Sequence, residues 1–340
     1  MRGTPSFCSD PPNPSIAPGL APMLVSLILG FVLLVVGGES LVRGAVATAT
    51  RLGLSPLFIG IVLVGFGTST PELVTSVQAA LAGSPGIAVG NIVGSNIANI
   101  LLILGVGALL LPMACHPGAF YRDGTVLVLS AAALGAVVLV GALDRWTGLA
   151  FVAALLAYVV FTYVRESDSP DEAAQMHEAE AALQLTEQPM PLWLALLIAL
   201  VGIALTIVGA RLLVSGAIEL ATAMGVSETL IGLTVVAVGT SLPELVTAVI
   251  AALKKEADVA FGNIVGSNIY NTLGILGITA TVQPLDVPRE IADFDIWVML
   301  AATVLLLFFA ISGWRVSRRE GAVLLALYAA YVGYLAWDLF

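Results

Sequence analysis

Charge is what this sequence has least of. Only 11% of its 340 residues are charged, while 59% are hydrophobic. A soluble domain carries roughly a quarter charged residues, so water is not the main solvent of this chain. Its two cysteines, Cys8 and Cys115, cannot build a disulfide framework, and its two histidines stand apart from them. Cys/His spacing for zinc or copper is therefore absent. The 13 basic residues form no stripe, which excludes a nucleic-acid surface. There is no His-Glu-x-x-His and no Ser/His pairing within an apolar run, which makes an intramembrane enzyme the least favoured reading. The net charge of −10 is largely local, because seven of the 23 acids lie between Glu166 and Glu187 with no basic residue among them.

What is present is a succession of apolar runs of bilayer-crossing length, about 17–25 residues each. Breakers divide them into ten expected membrane helices: 22–50, 55–82, 86–112, 124–143, 146–164, 191–221, 227–253, 258–281, 293–312 and 320–338. Residues 1–22 are polar and Pro-rich, lack the apolar core of a signal peptide, and read as a disordered leader, with Met23 near the functional start. The segment 165–190 is the one long, strongly polar connection. It reads as a solvated linker that could form a short surface helix from Asp171 to Gln188, where Ala, Glu and Gln dominate. It lacks the spaced ligands and central glycine of an EF-hand.

An internal repeat organises the rest. At an offset of 172, Val36–Val106 matches Val208–Ile278 without a gap, and 39 of the 71 pairs are identical. Each half holds five spans, an odd number, so the second half is expected to enter the membrane the other way up. The organisation is then 23–164 as the first five-helix repeat, 165–190 as an acidic cytoplasmic loop and 191–340 as the second repeat. Basic residues agree, since Lys and Arg collect on the cytoplasmic side. Arg43 and Arg51 match Ser215 and Ala223, whereas Ala82 and Gly83 match Lys254 and Lys255. With both termini outside, Arg43, Arg51, Arg122, Arg165, Lys254, Lys255, Arg315, Arg318 and Arg319 lie inside. Arg2, Arg145, Arg211 and Arg289 remain outside.

The repeat carries one motif twice, Gly-Thr-Ser-x-Pro-Glu, at Gly67–Glu72 and Gly239–Glu244. An ionised carboxylate in mid-span costs at least about 2.5–3.5 kcal/mol, so Glu72 and Glu244 are expected to have a functional partner. Pro71 and Pro243 each lack an N–H and clash with the carbonyl four residues back, that of Gly67 or Gly239. Both helices should break at the Gly-Thr-Ser turn and free carbonyls. Thr68 and Ser69 precede Glu72 by four and three residues, so both hydroxyls share its face, as Thr240 and Ser241 do with Glu244. The following span adds Asn91, Ser95 and Asn99, matched by Asn263, Ser267 and Asn271. For Asn91 and Asn263 structural hydrogen bonding and an ion role both stay open. Gly90 and Gly94, with Gly262 and Gly266, leave room for close approach to the broken helix. These oxygen donors suit Ca²⁺ and equally Na⁺. Glu39 and Glu219 read as snorkelling or paired, His116 and His177 as loop residues without a ligand partner, and Trp193, Tyr331 and Trp337 as interface anchors.

At these residues the sequence resembles the sodium/calcium exchanger family of the cation/calcium antiporter superfamily, in its prokaryotic form without regulatory domains. GTSTPELVTS and GNIVGSNIANILLILG resemble its first α-repeat, and GTSLPELVTA and GNIVGSNIYNTLGILG its second. The resemblance implies an all-α membrane protein of ten transmembrane helices, as two inverted five-helix repeats with discontinuous helices at the ion site. It implies exchange of several Na⁺ for one Ca²⁺ by alternating access in a prokaryotic inner or plasma membrane, with no cofactor and no required protein partner. It also implies that Glu72, Glu244, Thr68 and Thr240 coordinate Ca²⁺. Ser69, Ser95, Asn99, Ser241, Ser267 and Asn271, with carbonyls of Gly65 and Ala237, would complete Na⁺ sites. Some relatives carry Asp at the position of Asn271; with Asn in both repeats, two carboxylates balance one Ca²⁺ or two Na⁺. Protons are expected to compete as pH falls. A proton-coupled exchanger using the same glutamates is the alternative, and a channel is disfavoured by the inverted repeat.

Overall fold

The computed structural model describes residues 20–115, 117–168, 172–184, 190–254 and 257–337. Most of the expected leader, with Arg2 and Cys8, lies outside the described residues, as do His116, Lys255 and residues 169–171 and 185–189 of the acidic segment. The described chain is almost entirely helical. Seven of its helices are long and apolar enough to cross a membrane: Pro22–Arg51, Pro85–Leu110, Phe120–Val140, Arg145–Ser167, Leu192–Met224, Ile291–Gly313 and Arg318–Trp337. Two bent pairs raise the number to nine if each is one span. Ile59–Gly67 and Thr70–Leu81 meet at 49°, and Glu228–Thr240 and Leu242–Lys254 at 42°. The run 257–282 is helical throughout, but Asn263, Asn268, Asn271 and Thr272 dilute its hydropathy and it is not among the seven. Of the ten expected spans, seven are clear helices and two are bent pairs, while the tenth, 258–281, is helical without the hydropathy of a span.

The outer surface is apolar. Val25, Ile28, Leu139, Val160, Leu200 and Phe308 are all exposed, which is tolerable only against lipid. Trp193 and Trp337 are exposed too, as interface anchors should be. Tyr331 corrects that expectation: it is buried, and its hydroxyl donates to Asp295 Oδ1 at 2.8 Å.

Two long helices, Leu20–Arg51 and Leu192–Met224, pack along their length through glycines seven residues apart. A Cβ on Gly30 would meet the Gly209 carbonyl at 3.0 Å, one on Gly37 the Gly202 carbonyl at 2.9 Å, and one on Gly44 the Ala195 carbonyl at 2.6 Å. Later residues of one helix thus face earlier residues of the other, so the two run antiparallel. Small residues are how membrane helices come this close. Short strands tie the halves together at their ends. Met113–Ala114 pairs antiparallel with Arg315–Val316, and Ala142–Leu143 with Leu285–Asp286. In each pair, the segment after the third helix of one half meets the segment after the fourth helix of the other.

The acidic segment departs from the expected solvated linker. Its helix, Glu172–Gln184, buries Ala174 and Ala181 against residues of the first broken helix and its approach, and Met176 against Gly262. Alanine at these positions makes a narrow helix face that fits between membrane helices. Glu39 is paired with Arg43 one turn on, as expected of an acid near a span end.

Candidate ion site

The two broken helices face each other across the middle of the molecule. Each Pro falls in the first turn of the second segment, where its missing N–H is harmless. The bend itself falls just after each glycine, at Thr68–Ser69 and at Ser241, which has φ −84° and ψ 10°. Gly67 and Gly239 instead serve close packing. A Cβ on Gly67 would lie 2.6 Å from Val42 Cγ2, and one on Gly239 would overlap the Phe31 ring. A π-helical turn precedes each bend, at Ile59–Val64 and Gly232–Val236, and another runs from Asn99 to Ile103 and from Tyr270 to Ile275. Such wide turns recur at functional sites because they redirect side chains and carbonyls.

The glutamates are cross-linked by the opposite motif. Ser69 Oγ donates to Glu244 Oε1 at 2.9 Å, and Ser241 Oγ donates to Glu72 Oε1 at 2.9 Å. Both carboxylates are fully buried. Their second oxygens, Glu72 Oε2 and Glu244 Oε2, accept no hydrogen bond from the protein. The same holds for Thr68 Oγ1, Ser267 Oγ and the side-chain amides of Asn99, Asn271 and Asn263. Buried polar atoms are rarely left so, and each such group costs roughly 1–3 kcal/mol. Their coincidence with the expected donor set makes this cluster a candidate cation site. Among the described residues no group of three or more His, Cys, Asp or Glu is placed to hold a metal ion by those groups alone. The donors are thus two acids and neutral oxygens, which suits hard cations.

The halves are not used identically. Asn91 Nδ2 donates to Ser76 Oγ at 2.9 Å, and its Oδ1 accepts from Thr240 Oγ1 at 3.0 Å. Its mate Asn263 makes neither bond and lines a cavity of about 30 Å³ with Asp123, Tyr158 and Tyr270. Asn91 is therefore structural here. The Ala237 carbonyl, expected as an ion ligand, already accepts from the Ser241 N–H at 3.1 Å, with Thr240 Oγ1 at 3.3 Å and Ser95 Oγ at 3.4 Å. A Cβ on Gly65, its mate, would touch the Tyr270 ring at 3.1 Å.

The glycine expectation holds for one half only. Cβ atoms on Gly90 and Gly94 would meet the second broken helix, at Thr229 O (3.0 Å) and Leu233 O (2.5 Å). Gly262 meets Met176 of the acidic helix instead, and Gly266 has nothing nearer than 4.0 Å. At that end the halves have parted. A cavity of about 520 Å³ runs from exposed Glu39, Arg43 and Lys254 down to Thr68 and Pro71.

Two acids escaped the sequence reading. Asp123 accepts from Tyr158 Oη at 2.9 Å, as Asp295 does from Tyr331. Asp123 and Asp295 are mates at the same 172 offset, beyond the gapless block, and that spacing was the available signal. Each lines a cavity, Asp295 one of about 370 Å³ with Ser227 and Glu290. Asp123 also pairs with Arg122, which reaches Glu166; His177 faces Glu166 at 3.7 Å and so is not the isolated loop residue expected. Asn96 donates to Thr272 Oγ1 at 3.0 Å, another cross-repeat bond the motifs did not announce.

Comparison with known proteins bears on this arrangement. The family model described as "Sodium/calcium exchanger protein" matches residues 23–164 and 194–337. The chain is 36% identical over 315 residues to the inner membrane protein YrbG of Escherichia coli (strain K12), covering 92% of this chain and 94% of that protein. It is 35% identical over 340 residues to the sodium/calcium exchanger MaX1 of Methanosarcina acetivorans, covering 90% and 96%. Among solved structures, the sodium-calcium exchanger NCX_Mj soaked with 10 mM Na⁺ and 10 mM Sr²⁺ superposes with a TM-score of 0.62 at 28% identity, over 92% of this chain and 98% of that one.

Proposed function

Because this chain belongs to the sodium/calcium exchanger family, an integral membrane transporter family and not an enzyme family, we propose that its cation/Ca²⁺ antiport is Na⁺ for Ca²⁺ exchange at Glu72 and Glu244. One observation carries the reading: each glutamate is held through one oxygen by the serine of the opposite repeat and keeps its other oxygen unbonded. A Ca²⁺ between them would meet two acids oriented by both halves at once. Thr68 and Thr240 lie one helical turn before them, while Ser267, Asn99 and Asn271 offer further donors from the flanking helices. Ser69 and Ser241 orient the glutamates, Ser95 lies within reach, and the Gly65 and Ala237 carbonyls border the site.

The ten-helix inverted repeat belongs to the same reading. It is supported by the antiparallel run of the first helix of each half and by the strand pairing. The end of a third helix can meet the end of the other half's fourth helix only if the halves enter the membrane oppositely. Both termini then lie outside, and the loop 165–190 is cytoplasmic. In the cycle, two Ca²⁺-neutralised glutamates, or the same pair neutralised by Na⁺, let the site be occluded. The two glycine-seamed helices slide across it as one body. An empty site keeps two like charges in low dielectric and resists that passage. Exchange follows without an energy-consuming step.

Proteoliposomes with single gradients test the coupling ion. A Na⁺ gradient at equal pH on both sides should drive Ca²⁺ uptake. Uptake that follows a pH gradient and ignores Na⁺ would show that protons are the coupling ion.

A further inference from the structure

The repeat gives the glycine contacts beside the site mates in the other half, and those mates are unequal. At one end of the site, glycines close the halves on each other. Gly232 lies so near the other half that a Cβ there would sit 2.9 Å from Ile87 Cα, and Gly94 would meet Leu233 O at 2.5 Å and Ala237 Cβ at 2.8 Å. The mates of these glycines are Gly60 and Gly266, and the mates of Leu233 and Ala237 are Ile61 and Gly65. A closed seam at the second end would therefore press Gly266 onto Ile61 and Gly65.

That seam is parted, and the helix Glu172–Gln184 lies in it. A Cβ on Gly60 would sit 2.0 Å from the His177 carbonyl, and one on Gly262 would sit 2.3 Å from Met176 Sδ. Ala174 packs with Leu57 and Ile61, and Ala181 with Val46 and Ile59. His177 faces Glu166, itself bound by Arg122, so the inserted helix is tied to the first repeat's fourth and fifth spans. Glycines leave no spare volume in a closed seam. The helix and the closed seam cannot coexist.

We propose that Glu172–Gln184 is a displaceable wedge, an intramolecular ligand of the glycine slot between residues 57–65 and 259–266, which holds the exchanger open on that side until it withdraws. This rests on the alternating-access reading, since a protein that never closes that side would have no use for release. It also gives the slot a stated partner, a narrow helix with Ala174 and Ala181 two turns apart on one side and Met176 on the other. The central connection thereby becomes a regulator of exchange, although it is far too short for a separate sensing domain.

The test uses the full chain with Leu57→Cys and Ala174→Cys, oxidised or reduced, in proteoliposomes. Cross-link yield is read by mass, with no ion needed. Oxidation should join the two cysteines and lower Ca²⁺ exchange about tenfold or more, with recovery on reduction, because trapping one state removes the other from the cycle. A second variant, Ala174→Asp with Ala181→Asp, places acids in the apolar slot and should expel the wedge, leaving exchange at or above the wild-type rate. The proposal is overturned if no cross-link forms, if the oxidised protein exchanges at the reduced rate, or if the expelled variant stays monodisperse yet loses exchange. Absence of exchange in the wild type under every gradient would instead refute the transport reading, while the cross-link still reports docking.

Discussion

At the scale of single residues, the site was largely legible because its chemistry is duplicated. Glu72 and Glu244 announce themselves as acids at equal places in apolar spans, and Ser69 and Ser241 by their spacing from them. What spacing could not give was the crossing: each serine serves the other repeat's glutamate, and a one-helix argument pairs it with its own. Asn91 and Asn263 were equivalent on paper and differ in fact, because only Asn91 lies at the closed end. The crossed bonds predict matched losses. Ser69→Ala and Ser241→Ala each remove a hydrogen bond to a buried carboxylate, worth ~1.5–3 kcal/mol, so each should raise the half-saturating Ca²⁺ concentration roughly tenfold or more in flux assays. Shifts of unequal size would mean that the two bonds are not equivalent in use. Cys115 offers a check on packing away from the site. It lies in the connection after the third helix, and burial, helped by nearby Glu320, pushes its thiol up to about 12. The thiolate is the reactive form, and it stays scarce until the pH nears that value. With Cys8 replaced by Ser, Cys115 should therefore resist maleimide at neutral pH in the folded protein and react after denaturation in detergent; rapid labelling of that native protein would contradict its burial.

At the scale of elements, the broken helices were legible from Pro71 and Pro243, and the break falls within the Gly-Thr-Ser turn, one or two residues past the glycine. Gly67 and Gly239 are there to let Val42 and Phe31 pass. The heptad of Gly30, Gly37 and Gly44, mirrored by Gly202, Gly209 and Gly216, was in the sequence at the same offset and marks the antiparallel seam. The polar segment was misread because composition alone cannot tell an alanine-rich surface helix from one that inserts. Only the partner glycines decide it. This asymmetry makes a paired prediction. A Cβ at Gly94 would strike the Leu233 carbonyl at 2.5 Å, so Gly94→Ala should cost ~1–3 kcal/mol and lower the thermal midpoint. At Gly266 the same methyl has nothing nearer than 4.0 Å, so Gly266→Ala should leave the midpoint unchanged while slowing exchange, since it obstructs the closure still to come. Thermal unfolding beside flux separates the two effects, and equal losses of stability would contradict the parted seam.

At the scale of the whole molecule, the twofold pattern in the chain became two halves that meet at one pair of acids. The seven clear helices, two bent pairs and the polar run 257–282 fall where ten spans were expected. The last of these has its hydropathy lowered by Asn263, Asn268 and Asn271 and is not among the helices apolar enough to span. Which end stands open could not be read from the sequence, because identical motifs at both ends predict equal contacts. It is a property of one conformational state and of the inserted helix. The account stands on Glu72 and Glu244 as the only acids of the proposed ion cluster. The direct measurement is Na⁺-gradient-driven ⁴⁵Ca²⁺ uptake into proteoliposomes by the wild type, Glu72→Gln and Glu244→Gln, each confirmed to be folded and inserted. The account predicts uptake by the wild type and its loss in both variants. Uptake at the wild-type rate by either variant would contradict it.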